Sequence, residues 1–138
     1  MGEQIKLLLV EDDQPTADEF ASFFAKLPSF HMLDTVDGAT EAFRIIIEDT
    51  PAIVIVDISL REGDGIELIE NIVSAGNLPI SPCIIVITAI TTDAIHEKLY
   101  DLGVNYIFGK DESDFGPGSI AEYLIEIQDS LPHIVEQI

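Results

Sequence analysis

The sequence predicts an α/β fold, a doubly wound five-stranded parallel sheet with helices on both faces. Two observations carry that expectation. Four short runs of branched aliphatic residues lack polar alternation, the pattern of parallel strands covered on both faces. Between them lie segments in which apolar residues recur at helical spacing. The resulting order, β then α repeated five times, needs crossover connections, and these are normally right-handed helices that return the chain to a parallel neighbour.

Taken in order, residues 6–10 form the first strand, and residues 16–26 the first helix, with Phe20, Phe23 and Phe24 as its apolar stripe. Residues 30–36 are a weaker run, with Met32, Leu33 and Val36, and are expected at a sheet edge. The second helix covers 39–48, with Ala42, Phe43, Ile46 and Ile47 at helical spacing; the third strand covers 52–56. A third helix at 66–74 carries Ile69, Ile72 and Val73, and the fourth strand spans 83–87. The fourth helix, 92–102, buries Ile95, Leu99 and Leu102; strand 104–108 and helix 120–131 complete the series. Loops are expected at 77–82, with two prolines, and at 111–118, which contains Gly116-Pro117-Gly118. No repeat, low-complexity stretch or linker divides the chain, so residues 1–138 read as one domain, and 138 residues at 47% hydrophobic content suffice for one core. A self-sufficient protein and a portion of a longer one both fit these bounds.

Composition narrows the function. The formal charge of −20, from 26 acidic against 6 basic side chains, repels nucleic-acid phosphates and anionic membrane surfaces, so neither is expected as a direct partner. The acids are dispersed, as in a solvated coat. Cys83 is the single cysteine, set among aliphatic residues, so no intramolecular disulfide forms. His31, His96 and His133 lie far apart, without the local pairing of a zinc site. No apolar run reaches membrane-span length and the N-terminus lacks signal-peptide character, which together point to the cytoplasm.

In an open parallel sheet, ligands bind beyond the carboxyl ends of the strands, where strand order reverses. Glu11, Asp12 and Asp13 follow the first strand, Asp57 the third, Thr88 the fourth and Lys110 the fifth. Taken singly, each has an ordinary explanation: an Asp caps a helix, a Thr turns the chain, a Lys is solvated. Occurring together on one rim, they make a constellation. Crowded carboxylates repel unless a cation compensates them, and Mg²⁺ takes such hard oxygen ligands in an octahedron. The same rim suits phosphoryl transfer, with Asp57 as the oxygen nucleophile and Thr88 and Lys110 as partners for the phosphoryl oxygens.

With these residues the chain resembles the receiver domains of two-component response regulators over essentially its whole length. The resemblance rests on Leu7-Leu8-Leu9-Val10-Glu11-Asp12-Asp13, on Pro51 through Asp57, on Asp57-Ile58-Ser59-Leu60 followed by Gly63-Asp64-Gly65, on Ile87-Thr88-Ala89, and on Leu102-Gly103-Val104 with Lys110 following. It implies a (βα)5, flavodoxin-like receiver architecture in a signalling module, not an enzyme. Asp57 becomes the phosphoacceptor, and Asp12, Asp13 and Asp57 with the Ser59 backbone carbonyl hold Mg²⁺, with Glu11 left open as a further ligand. Thr88 and Lys110 bind the phosphoryl group and act in the switch. The implied donor is a histidine kinase or histidine phosphotransfer protein. The implied output is a rearranged surface of the fourth helix, fifth strand and fifth helix that regulates a downstream protein, a phosphorylation-dependent homodimer being compatible with it.

Departures from the family pattern stand out. Asp111 follows Lys110 where proline is usual, and Arg61 replaces a common proline after Asp57. The aromatic switch position holds Ile107, with Tyr106 and Phe108 on either side. Ser59 and Ile90 stand where the family tunes access of hydrolytic water, and an apolar Ile90 implies slow dephosphorylation. A degenerate receiver acting by contact alone is the alternative, disfavoured by the retention of Asp57, Thr88 and Lys110. A flavin mononucleotide binder would not place Glu11-Asp12-Asp13 in its phosphate loop, and a haloacid-dehalogenase-type phosphatase would carry a second Asp where Ser59 stands.

Overall fold

The computed structural model describes residues 4–76, 78, 81–89 and 92–128. Its elements run β1 (Ile5–Val10), α1 (Gln14–Phe24), β2 (Phe30–Met32), α2 (Ala39–Asp49), β3 (Ile53–Asp57), α3 (Gly65–Ser74), β4 (Cys83–Thr88), α4 (Asp93–Leu102), β5 (Tyr106–Gly109) and α5 (Pro117–Ile127). All strand pairs are parallel, in the order β2-β1-β3-β4-β5. This is the doubly wound (βα)5 sheet expected from the alternation of strand and helix.

Alternation of side chains along each strand builds two cores from the continuous apolar runs. Leu7, Leu9, Ile53, Ile55, Ile85 and Ile87 pack against Ala17, Phe20 and Phe24 of α1 and Ile120, Ala121 and Leu124 of α5. Leu8, Val10, Val54, Val56, Ile84 and Val86 face Ala42 and Ile46 of α2, Leu68, Ile69 and Ile72 of α3, and Leu99 of α4. Each fully buried aliphatic side chain contributes about 1.5–3 kcal/mol, so strands with no polar alternation are stable only inside two helical layers.

Several boundaries differ from the sequence expectation, each for a local reason. Helix α1 starts at Gln14, two residues early, because Asp13 caps it and Pro15 lies in its first turn. Helix α5 likewise starts at Pro117, before the first periodic apolar residue. The run at 30–36 breaks after Met32 and touches β1 again at Val36, through an isolated bridge to Val10. Strand β5 begins at Tyr106 because Gly103, at φ +108°, ends α4 in a left-handed turn. Val104 and Asn105 then lead in, with Asn105 holding Ile84 through both its amide and its side chain. The end of the last helix expected at residue 131, and the centre of the proline-containing loop at 77–82, lie outside the described residues.

The register sets the site. Val10 pairs with Val56, Asp57 with Ile87 and Thr88 with Gly109, so β1, β3, β4 and β5 end level with one another. The sheet reverses its winding between β1 and β3, and the loops after those two strands therefore flank one crevice.

Candidate functional site

Glu11 leaves the end of β1 with its amide held by the Val36 carbonyl at 2.9 Å, which turns its carboxylate under the rim. It is 2% exposed. One oxygen, Oε2, accepts the Asp13 amide at 3.0 Å; the other, Oε1, lies 2.8 Å from Lys110 Nζ. Burial pushes the Glu11 carboxyl above its usual range, against the adjacent Lys110 ammonium that favours the charged form.

Asp57 closes β3 and is itself buried, a consequence of ending a central strand between two helical layers. Its Oδ1 accepts the Ser59 amide at 2.9 Å, and its Oδ2 accepts from Lys110 Nζ at 2.9 Å. Lys110 follows β5, where its amide donates to the Thr88 carbonyl at 2.7 Å and extends the ladder one residue past the strand. That bond ties the two positions together, and Thr88 is fully buried. Burial alone would lower the Lys110 ammonium pKa, but the hydrogen bonds and charges of Glu11 and Asp57 outweigh it and hold the group above its ordinary value.

The carboxylates of Glu11, Asp12 and Asp57 offer ligand oxygens that all lie within 4.8 Å of one another. These hard oxygen donors carry more negative charge than Lys110 balances, and they fit a small divalent cation. Asp13, expected beside Asp12 as a ligand, is not part of this group. Its Oδ2 accepts the Thr16 amide at 3.1 Å and the Thr16 hydroxyl, capping α1, and those bonds hold its carboxyl below the usual range. The cue was present in the sequence, since Asp three residues before Thr, with Pro15 between, is an N-cap pattern. The lysine contact of Glu11 had no such local cue, because its partner lies 99 positions along the chain.

Of the remaining positions, Ile107 is buried against the α2–α4 side, while Tyr106 points to the opposite face. There it stacks on Tyr123 with ring centroids 4.9 Å apart and meets Phe108 edge-on at 4.8 Å. The aromatic residues that flank Ile107 are thus packed with α5, away from the helix side that Ile107 faces. Ser59 is exposed at the loop start, and Ile90 lies outside the described residues.

This geometry agrees with the comparisons to known proteins. The family pattern described as the response regulator receiver domain matches residues 7–115. The chain belongs to the response regulator receiver family. Receiver domains are signalling modules with a phosphoryl-accepting role in two-component systems, and that role is this chain's function. It is 27% identical over 131 residues to the response regulator GtcR of Aneurinibacillus migulanus, covering 95% of this chain and 50% of that protein. It is 27% identical over 137 residues to the regulatory protein VirG of Agrobacterium tumefaciens, covering 97% of this chain and 48% of that one. The receiver thus spans about half the length of these relatives. Its fold matches the signal receiver domain of a Luxo repressor protein from Vibrio parahaemolyticus, with TM-score 0.80 at 16% identity, covering 93% of this chain and 92% of that one. A CheY-like receiver domain protein from Methanospirillum hungatei matches with TM-score 0.76 at 20% identity, covering 93% and 96%. Among the described residues of the receiver, no helix is long and apolar enough to cross a membrane.

Proposed function

We propose that Asp57 is the phosphoacceptor and that a histidine kinase or histidine phosphotransfer protein is its donor. The observation that carries this reading is the carboxylate of Asp57 at the end of β3, within 2.9 Å of the Lys110 ammonium and beside Glu11 and Asp12. An Asp57 oxygen attacks phosphorus in line, the P–N bond of the donor's phosphohistidine breaks, and its electron pair returns to the imidazole, which takes up a proton. An acyl phosphate results. Lys110 transfers its hydrogen bond from Asp57 Oδ2 to a phosphoryl oxygen, and the Thr88 hydroxyl donates to another.

The residues that would hold Mg²⁺ are Glu11, Asp12 and Asp57 with the Ser59 carbonyl. Glu11 takes the place first given to Asp13, whose carboxylate is committed to the α1 cap. When bound, the ion supplies positive charge that offsets the crowding of carboxylate and phosphoryl oxygens. The output follows from the shared Thr88–Lys110 linkage: drawing Lys110 toward the phosphoryl group pulls on β5, and the surface of α4, β5 and α5 shifts toward a state recognised by a partner protein. A cytoplasmic setting accords with such a donor.

Intact-mass measurement after incubation with acetyl phosphate and Mg²⁺ tests the reading. The expected result is one phosphoryl adduct on the native chain that needs Mg²⁺ and is absent from Asp57→Ala. An adduct that survives Asp57→Ala, or none on the native chain, would overturn it.

A further inference from the structure

We propose that Arg61 is the resident counter-cation of Asp12, displaced when a divalent cation enters, and that its side chain thereby sets the affinity of the rim for Mg²⁺. The inference rests on the reading of Glu11, Asp12 and Asp57 as the metal-holding carboxylates.

Two cations divide this cluster. Lys110 contacts Glu11 and Asp57, and Asp12 is served from the other side by the loop after β3. The Arg61 amide donates to Asp12 Oδ2 at 2.6 Å, its Nη2 donates to the Asp12 carbonyl at 3.1 Å, and its Nε lies 3.7 Å from the same Oδ2. One residue therefore grips both the carboxylate and the backbone of Asp12 across 49 positions of sequence. The grip is asymmetric in exposure: the Arg61 side chain is 82% exposed and that of Asp12 15%, so the guanidinium approaches from solvent and can swing away without opening the core.

The next residue fixes where Arg61 stands. The Glu62 carbonyl accepts the Ala39 amide at 3.1 Å, and its carboxylate accepts the Thr40 amide at 3.4 Å and the Thr40 hydroxyl at 3.1 Å. Helix α2 has Gly38 at its N-cap and no side chain of its own there, so Glu62 supplies that cap from outside. The Glu62 side chain lies directly against Gly38. Arg61 is held over Asp12 by an anchored loop.

A metal ion and a guanidinium at one carboxylate repel each other and compete for its lone pairs. An exposed ion pair is worth a fraction of a kcal/mol up to about one, so the competition amounts to about a two- to fivefold change in affinity. Titration calorimetry with MgCl₂ at low ionic strength tests it, on the native chain and on Arg61→Lys, Arg61→Gln and Arg61→Ala. Arg61→Gln and Arg61→Ala are expected to bind Mg²⁺ about two- to fivefold tighter than native, with Arg61→Lys close to native. The advantage should shrink on adding salt. Lys98→Gln, which removes the same charge from α4, should leave the affinity unchanged. Equal affinity across the Arg61 series, weaker binding in Arg61→Gln and Arg61→Ala, or the same gain in Lys98→Gln would overturn the proposal. Mg²⁺ binding that depends on Asp57 and Asp12 but ignores Arg61 would overturn it while leaving the metal reading intact; no binding by native or any Arg61 variant would overturn both.

Discussion

Lys110 Nζ stands 2.8 Å from Glu11 Oε1 and only 2.9 Å from Asp57 Oδ2, so a single ammonium holds two buried carboxylates that come from different strand ends. Glu11 therefore has a structural task in the receiver: it shares the Lys110 ammonium with Asp57. Removing the lysine leaves Glu11 buried without its cation. Lys110→Met should destabilise the metal-free domain by about 1–3 kcal/mol in urea unfolding. Adding Glu11→Gln to Lys110→Met should recover part of that loss, with a coupling energy of about 1 kcal/mol or more. Additive effects of the two substitutions would show that the contact carries no energy.

Asp12 and Asp13 are neighbours whose carboxylates part, one to the cluster with Glu11 and Asp57 and the other to the α1 cap, and two substitutions separate them. Asp13→Ala removes the acceptor for the Thr16 amide and hydroxyl, so the urea midpoint should fall while Mg²⁺ affinity stays close to native. Asp12→Ala should cost most of the Mg²⁺ affinity. A large loss of affinity in Asp13→Ala would return that residue to the ligand set.

Gly65 opens α3 under the backbone of Asp57 and Ile58. A Cβ there would run into Ile58 Cα and meet the Asp57 carbonyl oxygen at 2.7 Å, and backbone cannot yield as a flexible side chain does. Gly65→Ala should therefore cost about 1–3 kcal/mol and slow phosphorylation by acetyl phosphate, because the strain falls on Asp57 itself. Stability and phosphorylation rate are both read directly, and a native-like rate would mean that the loop relaxes away from Asp57.

Cys83 starts β4 inside the core, where burial pushes its thiol up to about 11. The folded chain thus holds this proton more tightly than the unfolded chain. Its contribution to stability is complete below the ordinary thiol value and is lost as pH rises through about 11. Native protein should lose stability faster than Cys83→Ala between those limits, and the folded thiol should resist Ellman's reagent at pH 8 until the domain unfolds. Parallel stability curves for the two proteins would rule out the buried thiol as the cause.

Fold class and the composition of the rim were legible in the sequence because they rest on local patterns. Uninterrupted aliphatic runs need cover on both faces, helical stripes supply it, and the residue following each run must fall on a common rim, where Asp57, Thr88 and Lys110 stand. Tertiary structure decided which neighbours serve that rim. Asp12 and Asp13 are alike in composition, and only the turn into α1 sends one carboxylate to the cluster and the other to the helix cap. Glu11 gained its lysine, and Arg61 its aspartate, through strand register and loop anchoring across 99 and 49 positions. Periodicity reports which face a side chain takes, whereas an ion pair depends on distances of a few ångströms that only the assembled sheet sets.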